Sequence, residues 1–375
     1  MSKRLLSTTI LLTAMLWLGN MFNVKAADKF VSFSPANDAW QLHDITLGYA
    51  ASEHSCVQRA AASLATDFEQ VTGTRPASSD NPKILIGTVG TNKQIDLWVK
   101  QGLLPNLKGK TEKFIIKTIG EQLVIAGSDK RGTVYGIYEL SRQIGVSPWY
   151  FWADVPIEKH ADIYIKKGEY TDGEPAVRYR GLFLNDEAPC LTTWVKNTFG
   201  TDFGDHRFYE KVFELILRLK GNYLWPAMWT SNFSLDGPGL LSAELADEYG
   251  IVMSNSHHEP CSRHSEEWDL VRGEDSIYGN AWNFDKNKEG LTNYWRDGLK
   301  RNAPFENIIT VGMRGERDSE VLGRNATLKE NIDYLKEVIE TQRKLISEVY
   351  GDEAENVPLM LAIYKEVEKY YFGDK

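Results

Sequence analysis

Cysteine is scarce in this sequence, and basic residues are outnumbered by acidic ones. The three cysteines, Cys56, Cys190 and Cys261, are too few for a disulfide framework, and we interpret them as buried free thiols, with one bridge as the alternative. The 43 Lys and Arg residues face 52 Asp and Glu residues, giving a net charge of −9. This acidic balance argues against a general nucleic-acid binder, because a phosphate backbone requires a basic surface.

Long apolar runs are also rare. The longest, from Leu5 to Leu18, is shorter than the roughly 20 residues that a membrane-spanning helix needs. It follows Lys3 and Arg4 and ends near small residues that a signal peptidase reads. We therefore predict a signal peptide at 1–26 and a periplasmic or secreted protein with no membrane anchor.

The sequence does contain many aromatic residues, with 11 Trp and 17 Tyr in an otherwise ordinary globular composition. At about 100–200 residues per domain, the length predicts two or three domains. Residues 27–172 have the pattern of a small α/β domain. It comprises an amphipathic helix at 51–70, a strand at 83–87, a hairpin at 114–126 and a helix at 133–144.

From residue 173 to 375, short apolar strands alternate with amphipathic helices. The predicted strands are Gly181–Leu184, Asn222–Trp225, Ile251–Met253, Ile308–Met313 and Leu359–Ile363. Each is followed by polar residues, and in a barrel of strand–helix units such ends converge on one mouth. A doubly wound sheet would instead carry a Gly-rich phosphate loop at one switch point. The sequence lacks that loop, so we predict no cofactor. The fold class is α/β, a small N-terminal α/β domain followed by an incomplete (β/α)8 TIM-type barrel of about five strands.

Paired carboxylates follow the first of these strands, and a histidine pair follows the third. Asp186 and Glu187 could supply an acid, a base or a substrate clamp, or Asp186 could simply cap the next segment. His257-His258-Glu259 suggests metal ligation, but adjacent side chains point apart and the pattern is not His-Glu-x-x-His on one helical face. We therefore predict no metal, and favour a histidine that hydrogen-bonds substrate over a structural one.

Charged residues also follow the fourth and fifth strands. Arg314 could grip an anionic substrate while Asp318 performs acid or base work, or both could join Glu316 in a local ion-pair network. Lys365 and Glu366 could belong to a site or to an ordinary helix start.

Two tryptophans flank Pro226 after the second strand. Trp225 and Trp229 could stack on a sugar ring or pack in the core. Acids at several strand ends fit glycoside hydrolysis, which uses two carboxyl groups across the scissile bond.

Six segments, in chain order, resemble glycoside hydrolase family 115. They are Tyr179–Pro189, Gly221–Trp229, Ala246–Ile251, Ser256–Pro260, Val311–Gly315 and Tyr364–Val367. Within the predicted N-terminal domain, Gly127–Gly136 also resembles a family segment. The resemblance implies a xylan α-1,2-glucuronidase that removes glucuronic acid, or its 4-O-methyl ether, with inversion. Its partners would be glucuronoxylan or aldouronic acids, and the full-length form of the family could be a homodimer.

The resemblance also implies roles for individual residues. Three acids look like the family's catalytic residues: Asp186, Asp318 and Glu366. Seven neighbours look like its substrate-binding residues: Asn185, Trp225, His257, His258, Arg314, Tyr364 and Lys365. Glu316 and Arg317 stand where the family more usually has Asp-Gly, which changes the loop between the matched Arg and Asp.

Length is the main departure from the family. A barrel of eight strands typically takes about 250 residues, and 178–375 supplies five predicted strands. We therefore expect the N-terminal portion of such an enzyme, inactive by itself. The alternatives are a non-catalytic carbohydrate-binding or degenerate product of a truncated gene, and a hydrolase for another sugar, such as a hexosaminidase.

Overall fold

The described part of the chain is nearly continuous. The computed structural model describes residues 29–186, 188–201, 204–316, 319–323 and 325–373. The predicted signal peptide at 1–26 and the candidate residues Glu187 and Asp318 lie outside the described residues. Within those ranges, no helix combines the length and the apolar character needed to cross a bilayer.

The first half of the chain is organised around a mixed sheet with helices on both faces. The strands are β1 (Val31–Ser32), β2 (Ala39–Gln41), β3 (Thr46–Gly48), β4 (Ala77–Ser78), β5 (Ile84–Thr88), β6 (Phe114–Ile119), β7 (Gln122–Gly127), β8 (Tyr164–Lys166) and β9 (Glu169–Tyr170). The helices are α1 (Ser55–Thr72), α2 (Lys93–Lys100) and α3 (Lys130–Gln143). Six strands pair in the order β4-β3-β5-β7-β6-β9, and β1, β8 and β2 form a separate antiparallel sheet.

Alternation along the central strands explains why both faces are covered. In β7, Ile125 belongs to the cluster that includes α1 and α3, whereas Val124 packs with α2. Successive side chains of a strand point to opposite faces, so an apolar strand such as β7 needs partners on both. The predicted hairpin is confirmed, since β6 and β7 pair antiparallel and Gly120 turns with a φ of 62°.

The second half carries a purely parallel sheet. Its strands are β10 (Gly181–Phe183), β11 (Tyr223–Trp225), β12 (Val252–Ser254), β13 (Asn307–Thr310) and β14 (Leu359–Met360). Its helices are α4 (Cys190–Phe199), α5 (His206–Arg218), α6 (Leu241–Tyr249), α7 (Ser265–Val271), α8 (Lys288–Asn302), α9 (Leu328–Tyr350) and α10 (Glu366–Gly373). The strands lie side by side in chain order, each parallel to the next. The five predicted strands and their helical crossovers are thereby confirmed.

Several predicted boundaries are wrong: the first helix begins at Ser55 rather than 51, and β14 ends at Met360 rather than Ile363. Two further shifts have clear local reasons. Helix α3 begins at Lys130 rather than 133, because the Asp129 side chain caps it by accepting the Gly132 N–H at 2.8 Å. Strand β13 ends at Thr310 rather than 313. Gly312 has a φ of 105°, and a Cβ there would lie 2.9 Å from Leu361 Cδ1, so the chain turns where only glycine fits.

Buried ion pairs join the two halves at the amino ends of the parallel strands. Arg218, at the end of α5, donates two hydrogen bonds to Asp67 of α1, at 2.9 and 3.0 Å. Arg180, just before β10, donates to Glu112 at 2.6 Å, and Asn222, just before β11, donates to the same carboxylate at 2.7 Å. The apolar core is continuous across this junction, so the first half covers the amino ends and leaves the carboxyl ends open.

All three cysteines are free thiols. Cys56 and Cys261 are buried, as predicted, and burial raises the pKa of Cys56 to about 11. The prediction is wrong for Cys190, which is exposed because it occupies the first turn of α4.

Candidate active site

The segments that follow the parallel strands contact one another at the carboxyl end of the sheet. Arg314, after β13, pairs with Glu366, after β14. Tyr364 lies against His257, which follows β12. The prediction that these residues converge is borne out by their contacts, because parallel strands aligned in chain order present all their carboxyl ends on one side.

A charged pair stands on this side of the sheet. Arg314 Nε donates to Glu366 Oε1 at 2.7 Å, and Nη2 donates to Oε2 at 2.8 Å. Both side chains are buried, with 3% and 9% of their surfaces exposed. The Arg314 guanidinium also lies 5.4 Å from the centre of the Tyr364 ring. A bidentate, largely desolvated pair of this kind fixes the orientation of both groups.

Side chains of α9 and of the segment before α8 hold the backbone around Arg314. Gln342 of α9 is fully buried, accepts the Gly312 N–H at 2.7 Å and donates to the Gly312 carbonyl at 2.8 Å. Trp282 Nε1 donates to the Arg314 carbonyl at 2.8 Å. The turn that ends β13 is therefore fixed by side chains from two other segments, and this turn aims the Arg314 guanidinium at Glu366.

The two adjacent histidines form a ring cluster with their aromatic neighbours. The His257 and His258 ring centres are 4.1 Å apart, and His257 is 4.8 Å from the Tyr364 ring. His258 is buried and lies 5.3 Å from the Trp229 ring. Lys365 has a φ of 49° and places its ammonium 5.2 Å from the Tyr364 ring.

Glu259, the third member of the histidine segment, faces a different partner. Its Oε1 lies 2.8 Å from His264 Nε2, and its Oε2 accepts the Ser256 N–H at 3.0 Å. His264 Nδ1 accepts the Glu266 N–H at 3.1 Å as the N-cap of α7. Glu259 and His264 therefore stabilise the turn after β12. Among the described residues, no group of three or more His, Cys, Asp or Glu side chains is arranged to hold a metal.

Asp186 is almost fully enclosed, with 1% of its surface exposed. Its Oδ1 accepts the N–H groups of Met228 and Trp229 at 3.2 and 2.8 Å. Its Oδ2 accepts the N–H groups of Thr230 and Ser231 at 2.6 and 2.9 Å, and the Thr230 hydroxyl at 2.9 Å. Burial works to raise the pKa of Asp186, but the donors of Trp229, Thr230 and Ser231 outweigh it and hold that pKa below its ordinary value.

The residues nearest the β10 edge of the sheet are more exposed to solvent than Asp186. Asn185 is exposed, and Trp225 is half-buried, with its indole N–H donating to the Tyr223 hydroxyl and its ring 5.5 Å from that of Phe183. Trp225 therefore stands at the β10–β11 side, at the opposite edge of the sheet from Glu366.

A cavity of about 300 Å³ opens beside His258 and Arg314. Its other lining residues are Glu266, Trp268, Asp269, Arg272, Trp282, Gly315 and Glu316. Arg272 bridges Asp269 and Glu316, at 2.7 Å to each. The cavity thus presents charged and aromatic groups together, which is the mixture that polar ligands with apolar faces, such as sugars, require.

The sequence profile of glycosyl hydrolase family 115 matches residues 172–375, more than half of the chain. The chain belongs to this family. A solved structure of BtGH115A, a family GH115 4-O-methyl-α-glucuronidase with specificity for decorated arabinogalactans, superposes with a TM-score of 0.80 at 32% identity. The match covers 90% of this chain and 44% of that one, so the chain spans less than half of BtGH115A. No curated protein sequence matches the chain significantly.

Likeness to other solved glycosidases is confined to the fold. The N-acetyl-β-hexosaminidase of Streptomyces plicatus superposes with a TM-score of 0.51 at 13% identity, covering 85% of this chain and 62% of its own. The GH20 β-N-acetylhexosaminidase of Streptomyces coelicolor A3(2) gives 0.50 at 12%, covering 84% and 62%. At such identities the comparison shows a shared architecture and says nothing about the substrate of this chain.

Several residues of this family 115 chain that build the site were missed by sequence reasoning. Gln342, Trp282 and His264 hold the turns that carry Arg314 and His258, and none belongs to a strand-end motif. The periodicity of α9 does contain a signal, since Gln342 falls on the buried face of that helix. A polar residue on an apolar stripe requires a buried partner.

Proposed function

We propose that this family 115 chain carries the site of an exported, inverting α-glucuronidase that removes (4-O-methyl)glucuronic acid side chains from glucuronoxylan. The parallel sheet β10–β14 would be part of a (β/α)8 barrel. The proposal is supported by family membership and by the predicted signal peptide at 1–26. Because BtGH115A is specific for decorated arabinogalactans, glucuronic acid side chains on arabinogalactan are the second candidate substrate.

The observation that carries the proposal is the bidentate pair of Arg314 and Glu366 at the strand ends. Glucuronic acid differs from neutral sugars by one carboxylate, and a planar guanidinium binds carboxylates through two parallel hydrogen bonds. Arg314 would share its donors between the substrate carboxylate and Glu366. The ammonium of Lys365, beside Tyr364, adds a second positive charge close to the same point.

Inverting hydrolysis requires two carboxyl groups on opposite faces of the sugar, about 6.5–9.5 Å apart. One protonates the leaving oxygen, and the other activates a water molecule. We assign this pair to Glu366 and Asp318, which follow adjacent strands of the sheet. The rings of Tyr364, His257 and Trp225 would bind the sugar and the attached chain by stacking and hydrogen bonding.

Calorimetry with the 375-residue chain tests the binding part of the proposal. The ligands are an aldouronic acid and the uncharged xylo-oligosaccharide of the same length. We expect binding of the acidic ligand at an affinity at least about tenfold higher, equivalent to about 1.4 kcal/mol. Equal affinity for the two ligands would contradict the proposed carboxylate site.

Release of methylglucuronic acid tests the catalytic part, with the anomer identified by NMR. Inversion of an α-linkage gives the β-anomer first. Where turnover is detected, Glu366→Gln should lower kcat by about 10²–10⁴, whereas Glu368→Gln, on an exposed position of the same helix, should leave it unchanged. The inactivity predicted from the sequence is tested by the same assay, since release by the wild-type chain would contradict it.

A further inference from the structure

The carboxylate of Asp186 is surrounded by hydrogen-bond donors at the carboxyl end of the sheet. It accepts five hydrogen bonds, four of them from consecutive backbone N–H groups between Met228 and Ser231. Its Oδ1 accepts two of these hydrogen bonds and its Oδ2 accepts three, so both oxygens are occupied by the protein's own donors, with 1% of the residue's surface exposed. A group that exchanges protons with substrate must reach the substrate oxygen or a water beside it.

The segment that Asp186 folds contacts the ring cluster of the site. Trp229 lies within it, and its ring is 5.3 Å from that of His258. The preceding residue, Met228, accepts a hydrogen bond from the Ser256 hydroxyl through its Sδ at 2.7 Å. Both contacts join the segment after β11 to the turn that carries the two histidines.

The other end of the segment is anchored in the same manner. Ser231 donates its hydroxyl to Asp236 Oδ2 at 2.7 Å, and that hydroxyl lies 3.2 Å from the Tyr209 hydroxyl. Asp236 also accepts the Asn232 N–H. Two carboxylates, the buried Asp186 and the half-buried Asp236, therefore bind five successive backbone N–H groups from 228 to 232, and they set the course of this segment.

We propose that Asp186 is a positioning residue: its carboxylate folds segment 228–231 and thereby places the Trp229 ring against His258. This inference rests on the proposed function only in that His258 lines the proposed sugar site. It replaces the catalytic role that the family resemblance implied for Asp186, and it leaves Glu366 and Asp318 as the reacting pair.

The test uses a signal that exists without ligand or turnover. In the wild-type chain labelled with ¹³C-histidine, we expect the ring current of Trp229, 5.3 Å away, to shift the His258 ring protons, which His258→Gln assigns. We expect Asp186→Asn to move this signal in the same direction as Trp229→Ala does. The isosteric amide keeps the shape, but one oxygen acceptor becomes an N–H₂ that faces backbone N–H donors in either orientation of the amide. Asp247→Asn, at an exposed position of α6, should leave the His258 signal in place.

A milder pair of variants covers the case in which Asp186→Asn does not fold. Thr230→Val removes only the hydroxyl donor, and Thr230→Ser restores it. We expect Thr230→Val to shift the His258 signal partially and Thr230→Ser to leave that signal at its wild-type position. An unmoved His258 signal in both Asp186→Asn and Thr230→Val would overturn the proposal.

Ligand binding then separates this inference from the proposed function. Asp186→Asn and Trp229→Ala should each weaken aldouronic acid binding by about tenfold, and the double variant should lose no more than either alone. Additive losses would overturn the inference. If the wild-type chain binds no aldouronic acid, the proposed function fails while the His258 signal still decides the role of Asp186.

Discussion

The two ends of the parallel sheet use the same kinds of residue for different purposes. At the amino ends, Arg218 and Asp67 form a bidentate pair that is 3% and 2% exposed and joins the two halves of the chain. At the carboxyl ends, Arg314 and Glu366 also form a bidentate pair, through Nε and Nη2 rather than the Nη1 and Nη2 that Arg218 uses. The first pair is enclosed by α1, α3, α5 and the Tyr150 ring, whereas the second borders exposed Tyr364 and a cavity. The surroundings, not the ion pair itself, separate a structural contact from a candidate site.

Breaking the amino-end pair should have the largest effect on stability. Arg218→Met leaves Asp67 buried without its cation and leaves Glu214 with only Lys211 as its cation, at 3.4 Å, and we expect a loss of about 3–5 kcal/mol in the free energy of unfolding. Urea unfolding measures it. Arg75→Met is the control, because its pair with Glu69, also on α1, is about half exposed and should contribute at most about 1 kcal/mol. Similar losses in the two variants would contradict the comparison.

Removing the support behind Arg314 should affect both stability and binding. Gln342→Met strands the N–H and carbonyl of Gly312 in the core, at a cost of about 2–4 kcal/mol. We also expect weaker aldouronic acid binding, because the turn no longer aims Arg314. Arg343→Met, at the next and exposed position of α9, should change neither property. Stability loss without a change in binding would show that the turn does not orient Arg314.

Replacing Arg314 with the shorter lysine should mainly weaken ligand binding. Arg314→Lys keeps the charge but cannot form two parallel bonds, and we expect aldouronic acid affinity to fall by about 10–100-fold, measured by calorimetry. Arg296→Lys alters an ion pair with Glu348 between α8 and α9 and serves as the matched control. Equal affinities of the two variants for aldouronic acid would show that Arg314 does not contribute to the binding site.

The smallest effect is the contribution of Asp186 to acid dependence at the carboxyl end of the sheet. The pKa of Asp186 is lowered in the folded chain from its ordinary 3.8, so the stabilisation it gives is complete above that value and is lost as pH falls through the folded pKa. Near-ultraviolet circular dichroism should therefore show constant tryptophan signals above about pH 5 and a loss only in stronger acid. Asp186→Asn should lack this transition, and the same transition in that variant would assign it to another carboxylate.

Much of the architecture was predictable because local sequence patterns determine it. The five parallel strands, the β6–β7 hairpin and helices such as α9 follow from apolar periodicity and glycine turns, which act over a few residues. The convergence of Arg314, Tyr364 and Glu366 was also predictable, since each follows a parallel strand. The roles of Asp186 and Gln342 were not, because their partners lie about 40 and 30 residues away and the sequence does not show which donors a carboxylate or amide will meet.

The sequence by itself determined the family, the order of strands and helices, and the residue types available at the strand ends. Tertiary structure alone decided how each of those residues is used. Asp186 and Glu366 are both acids that follow a strand, yet one is enclosed by backbone N–H groups and the other faces Arg314 beside an open cavity. Burial and hydrogen-bond partners set what a carboxylate can do, and both arise only when distant segments meet.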